Sequence, residues 1–407
     1  MARSDTPLVP PAAHVLRARN AVSMVFAANG FAFASWMARV PQVRDGLGLE
    51  PGELGRLLLA IAIGAVIALP TAGLVIGRIG ATRTVALGSA LAGSGLILAS
   101  IGADPMVSVA VTALGLAALG YGSGSWDVAM NVEGAAVERL LGRTVMPRFH
   151  AAFSLGTVIG AGIGAAVTWL EISVATHLVT VGVVAIGIAM VSTRYFLPRQ
   201  VEVDDDGVSR PSFSVLLAWR EPRTLMIGVM VLSFALIEGI ANDWLAVGIV
   251  DGYEVENAVG AAAFALFVTA MTVGRLCGSW FLDRYGRPLV VRISGTLAAV
   301  GALMVVFGGN PAVAVVGISL WGLGAALGFP VGMSAGADDP RRAAARVSVV
   351  ASIGYTAFLA GPPLLGWIGD HEGILRALLV VVAAGALGAV VASASRKEEP
   401  MDSAVDS

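Results

Sequence analysis

The sequence predicts an all-α polytopic membrane protein: twelve transmembrane helices in two pseudo-symmetric six-helix bundles. Three observations carry this expectation. Of 407 residues, 57% are hydrophobic and only 13% charged, whereas a soluble domain carries roughly 25% charge with which to cover its surface. Uncharged apolar runs of about 20 residues, enough to cross a ~30 Å hydrocarbon core as a helix, recur along the chain. One polar link near the middle leaves six such runs on either side.

Bounded by charge, Pro or Gly, the expected spans are residues 20–39, 54–76, 82–101, 107–130, 150–169, 173–195, 225–246, 258–281, 289–308, 312–333, 347–368 and 374–394. The segment before Arg17 and Arg19 is polar and Pro-rich, and no small-residue cleavage site follows the first span, so no removed signal peptide is expected. The link at 196–224, with Glu202, Asp204, Asp205, Asp206, Ser209, Pro211 and Pro222, separates an N-terminal bundle (1–195) from a C-terminal bundle (225–394), followed by a tail (395–407).

Orientation follows from the cations, because basic residues in short loops stay in the cytoplasm. Arg3, Arg17 and Arg19 precede the first span, and Arg78, Arg83, Arg139, Arg143, Arg148, Arg194, Arg199, Arg210, Arg220 and Arg223 fill the second, fourth and sixth links. Arg284, Arg287, Arg292, Arg341, Arg342, Arg346, Arg396 and Lys397 continue on that side, while the opposite loops offer Arg44 and Arg376. Both termini are expected in the cytoplasm, as an even number of spans requires.

The halves echo one another. Gly73-Leu-Val-Ile-Gly77-Arg78-Ile-Gly80 aligns with Ser279-Trp-Phe-Leu-Asp283-Arg284-Tyr285-Gly286 at an offset of 206, and Ser154-Leu155-Gly156 with Ser352-Ile353-Gly354 at 198. Internal repeats of this kind place a substrate site near the bilayer midplane, between halves that rock to alternate its access.

A net charge of -2 argues against a nucleic-acid partner, and the single cysteine, Cys277, against a disulfide framework or thiolate cluster. The four histidines, at 14, 150, 177 and 371, are scattered, so no metal is expected. No nucleotide loop, zinc motif or nucleophile elbow is present in the sequence, and no enzyme is expected.

Asp283-Arg284-Tyr285-Gly286-Arg287 resembles the loop signature of the major facilitator superfamily, G-x-x-x-D-[RK]-x-G-[RK], and the 6+6 layout covers the whole chain. The first-half copy has Gly77 at the acid's place and Thr82 near a usual basic position. The resemblance implies gates built from Gly73, Arg78, Gly80, Asp283, Arg284, Gly286 and Arg287. Asn131-Val-Glu133-Gly-Ala-Ala-Val-Glu138, Glu238-Gly-Ile-Ala-Asn242-Asp243-Trp244, Met271-Thr-Val-Gly274-Arg275 and Gly361-Pro362-Pro363-Leu-Leu-Gly366 resemble the branch of YbjJ-like and MosC-like membrane proteins. More distantly, Asp127 four residues before Asn131 is similar to the fucose permease pattern, in which the acid serves proton coupling. That pattern also has a first-span acid before a Pro-Gln pair; here Met37 stands before Pro41-Gln42. The resemblance implies a bacterial cytoplasmic membrane protein, with no cofactor beyond a proton gradient.

A charged group inside a span costs roughly 2.5 to 3.5 kcal/mol on insertion scales, so each should face a cavity or a partner. Asp127 and Asn131 share a helix face and read as a titrating carboxylate beside a substrate-binding amide, or as an interfacial acid. Glu238, mid-span, reads as a coupling group or as a structural hydrogen bond to a neighbouring helix. Asn242 lies one turn on, with Asp243 and Trp244 at the outer boundary, where Trp is more often an interfacial anchor. Arg275 demands a carboxylate, as an inter-helix ion pair or a binding group. His150, Trp36 and Arg39 complete the candidates; Arg39 can also snorkel outward. Gly156, Gly160 and Gly164, and Gly324, Gly328, Gly332 and Gly336, recur every four residues and predict close helix packing. Gly361-Pro362-Pro363 predicts a bend.

These residues favour a proton-coupled secondary transporter of a small polar solute such as a sugar, polyol or amino-sugar-like compound, acting as a monomer in the bilayer. A drug or metabolite exporter is the alternative within transport, although Ala161 replaces the proline of the exporter motif. A non-transporting receptor or scaffold is the alternative outside it.

Overall fold

The computed structural model describes residues 13–141, 145–197, 215–339 and 342–397. Most of the expected 196–224 link and 395–407 tail lie outside these residues. Among the described residues, twelve helical rods run back and forth: α1 (Ala13–Met37, followed by a short helix Val40–Leu47), α2 (Pro51–Ile79), α3 (Ala81–Ala103), α4 (Val109–Leu141), α5 (Met146–Trp169), α6 (Val174–Thr193), α7 (Pro222–Tyr253), α8 (Asn257–Tyr285), α9 (Arg287–Phe307), α10 (Pro311–Gly336), α11 (Ala343–Glu372) and α12 (Ile374–Ser395). Ten of the described helices are long and apolar enough to cross a membrane, and α1 with its bent continuation makes eleven. α4, which carries Asp127, Asn131 and Glu133, completes the set.

Helix ends are set by local chemistry. Pro51 opens α2 behind Glu50, whose backbone N–H donates to Glu53 Oε2 at 3.2 Å in a capping box. The Asn310 side chain caps α10 ahead of Pro311, and Ser173 caps α6. Gly80 and Gly286 end α2 and α8 with φ of 85° and 76°, a region glycine enters freely. They occupy equivalent positions in the two sequence echoes, so the repeat extends to backbone conformation.

Packing repeats as well. α1 lies against α5, α3 against α4 and α6, and α2 against α4; six helices later α7 lies against α11, α9 against α10 and α12, and α8 against α10. Gly156 and Gly160 of α5 sit on the α1 backbone, where a Cβ on Gly160 would come 2.5 Å from the Phe31 carbonyl oxygen. Gly324 packs on α9, but the series it begins does not make one smooth face, because α10 breaks at Ala326–Leu327 and Gly328 meets the Phe234 ring. Trp126, Trp244 and Trp321 are fully buried. Trp244 is thus a core residue of the C-terminal bundle, unlike the boundary anchor its place in the apolar run implies.

Several rods outrun the expected spans. α4 continues to Leu141, eleven residues past the expected end, and there Glu133 and Glu138 accept hydrogen bonds from the chain just after α6 and at the start of α5. Glu133 Oε1 accepts from the Leu197 N–H at 2.7 Å, and Glu138 Oε2 accepts from Val145 and Met146 N–H at 2.6 and 2.7 Å. Those two backbone bonds hold the Glu138 carboxyl below the usual range.

Candidate transport cavity and its gates

α1, α3, α5, α7, α9 and α11 begin at one face of the molecule, here the basic face, which carries Arg17, Arg78, Arg148, Arg223, Arg284 and Arg342. The bundles close on each other at the opposite, far face. Arg44 pairs with Asp251, Asn257 Nδ2 donates to Asp45 Oδ2 at 2.9 Å, and the Gly52 N–H donates to Asp370 Oδ1 at 2.8 Å. Beneath these bonds α2 presses on α11: a Cβ on Gly55 would lie 2.5 Å from the Pro362 carbonyl oxygen. Pro362 and Pro363 lie inside the α11 helix.

At the other end of α2, among the described residues, a Cβ on Gly73 would meet nothing within 4 Å, and Leu74 is 66% exposed. The expected gate residues divide accordingly. Asp283 is exposed, with no hydrogen bond or ion pair among the described residues, and Arg284 lies 5.8 Å over the Tyr285 ring. Arg287 is engaged within its own bundle, pairing with Asp338 at 2.7 Å and donating to Ser334 Oγ at 2.8 Å, while Arg223 also reaches Asp338 at 3.1 Å.

Several of the candidate polar groups lie where the two bundles face each other. Asp127 is exposed, and Asn131 Nδ2 donates to its carbonyl oxygen at 2.9 Å and to its Oδ1 at 3.4 Å. Tyr355 on α11 lies within electrostatic range of Asp127, so this acid faces the other bundle. Counted at 1.5 Å per residue, both groups lie ~20 Å along α4 and α11 from the basic ends of those helices. His150 is exposed on α5, edge-on to Phe26 at 5.3 Å and within range of the Arg275 charge across the bundle interface.

Arg275 has found its carboxylate. Its Nη2 donates to both Glu238 oxygens at 3.0 Å, and its Nε reaches the Ala326 carbonyl oxygen at the α10 break at 3.5 Å. α7, α8 and α10 are thereby tied together, and Glu238 makes the bond to a neighbouring helix that one of its two expected roles requires. Just beyond, α7 widens into a π turn at Ala241–Leu245, the kind of irregularity often found at functional sites. Asp243 sits on this turn and points to a small cleft shared with Phe358, Gly361 and Pro362 of α11. Among the described residues its side chain has no hydrogen-bond or ion-pair partner. Asn242 is buried beside it.

The major facilitator family model matches residues 21–362 and again 263–406. The chain belongs to the Major Facilitator Superfamily. Members of this superfamily are transporters, not enzymes. The chain is 30% identical over 370 residues to an uncharacterized MFS-type transporter of Yersinia pestis, covering 89% of this chain and 93% of the relative. It is 27% identical over 376 residues to the membrane protein MosC of Rhizobium meliloti, covering 92% and 88%. Its fold matches a variant of the E. coli fucose:proton symporter FucP with a TM-score of 0.63 at 15% identity, covering 93% of this chain and 98% of that one.

Two candidates are buried within the N-terminal bundle of this transporter. Trp36 is 1% exposed. Arg39 is 2% exposed, donates Nη2 to the Ile172 carbonyl oxygen at 2.6 Å, and leaves Nε and Nη1 without partners. The chain bends by 42° here into the short helix Val40–Leu47, and the buried guanidinium does not snorkel outward. Tyr355 and the π turn escape sequence reasoning: a lone tyrosine in an apolar run has no distinctive spacing, and an inserted π residue leaves the composition unchanged.

Proposed function

We propose that this superfamily member is a proton-coupled carrier of a small polar solute of the sugar, polyol or amino-sugar class in a bacterial cytoplasmic membrane. The observation that carries the reading is a pair of carboxylates inside expected spans, Asp127 and Asp243, one from each bundle, neither paired with a cation among the described residues. An unpaired acid is costly in a membrane interior and is retained where its protonation changes. Asp243 replaces Glu238 as the second coupling acid, because Arg275 already neutralises Glu238.

The two acids differ in depth. Asp243 lies ~15 Å from the far end of α7, under the closed gate, while Asp127 opens toward the basic face. With the basic face in the cytoplasm, this conformation is inward-open: Asp127 exchanges protons with the cytoplasm and Asp243 is screened until the far gate parts. Asn131, Tyr355 and His150 offer the solute donors and acceptors.

Proteoliposomes with an imposed pH gradient test this against a panel of sugars, polyols and amino sugars. Asp127→Asn should abolish gradient-driven accumulation while preserving solute exchange, and Asp243→Asn should do the same. Full accumulation in both variants overturns the coupling assignment.

A further inference from the structure

α6 packs against α1 and α3 within its own bundle. Between α1 and α6, on the flank of the molecule, lies a cleft of about 650 Å³. Its lining changes with depth. At the basic end stand Arg17 and Asn20 of α1 with Ser192 and Tyr195 at the end of α6; further in come Met24 and Gly187. From Arg17 to Met24 is ~10 Å of helix, so the polar groups stand at headgroup level and the apolar ones at the level of acyl chains. Tyr195, at 51% exposure, suits such a boundary.

The polar end is a set of donors. The Arg17 guanidinium has no ion pair among the described residues, and no carboxylate lines the cleft. Arg19 Nε and Nη2 occupy Asn20 Oδ1 at 3.1 and 2.8 Å, which leaves the Asn20 amide N–H groups to donate elsewhere. Two hydroxyls complete the set. Below them Gly187 leaves the floor free of a side chain, and among the described residues a Cβ there would meet nothing within 4 Å.

We propose that this cleft binds an anionic glycerophospholipid of the leaflet at the basic face, with its phosphate on Arg17 and Asn20 and one acyl chain along Met24 and Gly187. Basic pockets between helices select anionic headgroups. A zwitterionic lipid would bring an ammonium group to a rim that offers no carboxylate, and a free phosphate would leave the apolar floor uncovered.

The test uses the purified full chain in detergent micelles doped with phosphatidylglycerol or phosphatidylethanolamine. Native mass spectrometry counts retained lipid, and the unfolding temperature is read in parallel. Phosphatidylglycerol should be retained at least about tenfold better, a 1.4 kcal/mol preference, and should raise the unfolding temperature. Arg17→Gln removes the charge; Gly187→Leu fills the floor from open space with a better helix former. Both should lose the retained lipid while unfolding in lipid-free detergent where the parent does. Equal retention of the two lipids, phosphatidylglycerol retention unchanged by Gly187→Leu, or stabilisation reproduced by inorganic phosphate alone overturns the proposal.

Discussion

Arg275 and Glu238 show how one residue's role depends on its neighbour. Each alone would be a charge stranded in the membrane; together, at 27% and 21% side-chain exposure, they form a charge-assisted cross-tie from α8 to α7. Glu238→Gln should therefore act on stability, costing about 2 kcal/mol, the scale of a hydrogen bond to a charged group. Arg275→Gln should cost a similar amount, and the double variant less than the sum, a coupling that an unfolding double-mutant cycle measures. The expected pairing of Asp127 with Asn131 is legible in sequence because an acid and an amide four apart in an apolar run can only share a face. The burial of Arg39 was not legible, because its place near the end of the run is equally compatible with an exposed guanidinium.

The elements themselves set the gates. α2 and α11 touch through Gly55 and the Pro362 carbonyl, so Gly55→Val should part them and shift the population away from the far-closed form. Labelling of a cysteine placed at Asn257 should then rise several-fold from the far side. At the basic end of α7, Glu221 accepts from Arg346 Nε and Thr224 Oγ1, each at 2.7 Å, and from Arg342 at 3.1 Å. Burial alone would raise the Glu221 carboxyl, but hydrogen bonds from Arg346 and Thr224 and the charges of Arg346 and Arg342 together hold it below the ordinary carboxylate range. A depressed acid stabilises the fold fully above the unfolded-state value of about 4.3 and loses that contribution as pH falls through the lower folded value. The gap in unfolding temperature between the parent and Glu221→Gln should persist from pH 7 to about 5 and close below about 4. Helix existence was readable from apolar run length, whereas the π turn, the α10 break and the length of α4 depend on tertiary bonds that no local pattern records.

Across the whole molecule, the packing of the first six rods and the turn at Gly80 recur in the last six and at Gly286. In the opposite conformation the basic face should close, and Asp283 and Arg284 are the exposed groups placed to latch it. Asp283→Asn should weaken that latch and increase basic-side accessibility of a cysteine at Leu74; unchanged labelling counts against a gating role. With the basic face in the cytoplasm, a cysteine at Ser209 should resist impermeant reagents added outside intact cells.

α4 carries one more implication. Its 33 residues make a rod of ~50 Å, against ~30 Å of hydrocarbon, so about two-fifths of it lies in the headgroup layer or beyond. Glu133 fastens that projection to the end of α6 and Glu138 to the start of α5. The stub is therefore a pointer fixed to its bundle, and displacement grows with distance from a pivot. A spin label at Arg139, read against one at Arg292, would turn the unseen rotation of the buried helices into a distance change outside the bilayer, where it can be followed before any solute is known.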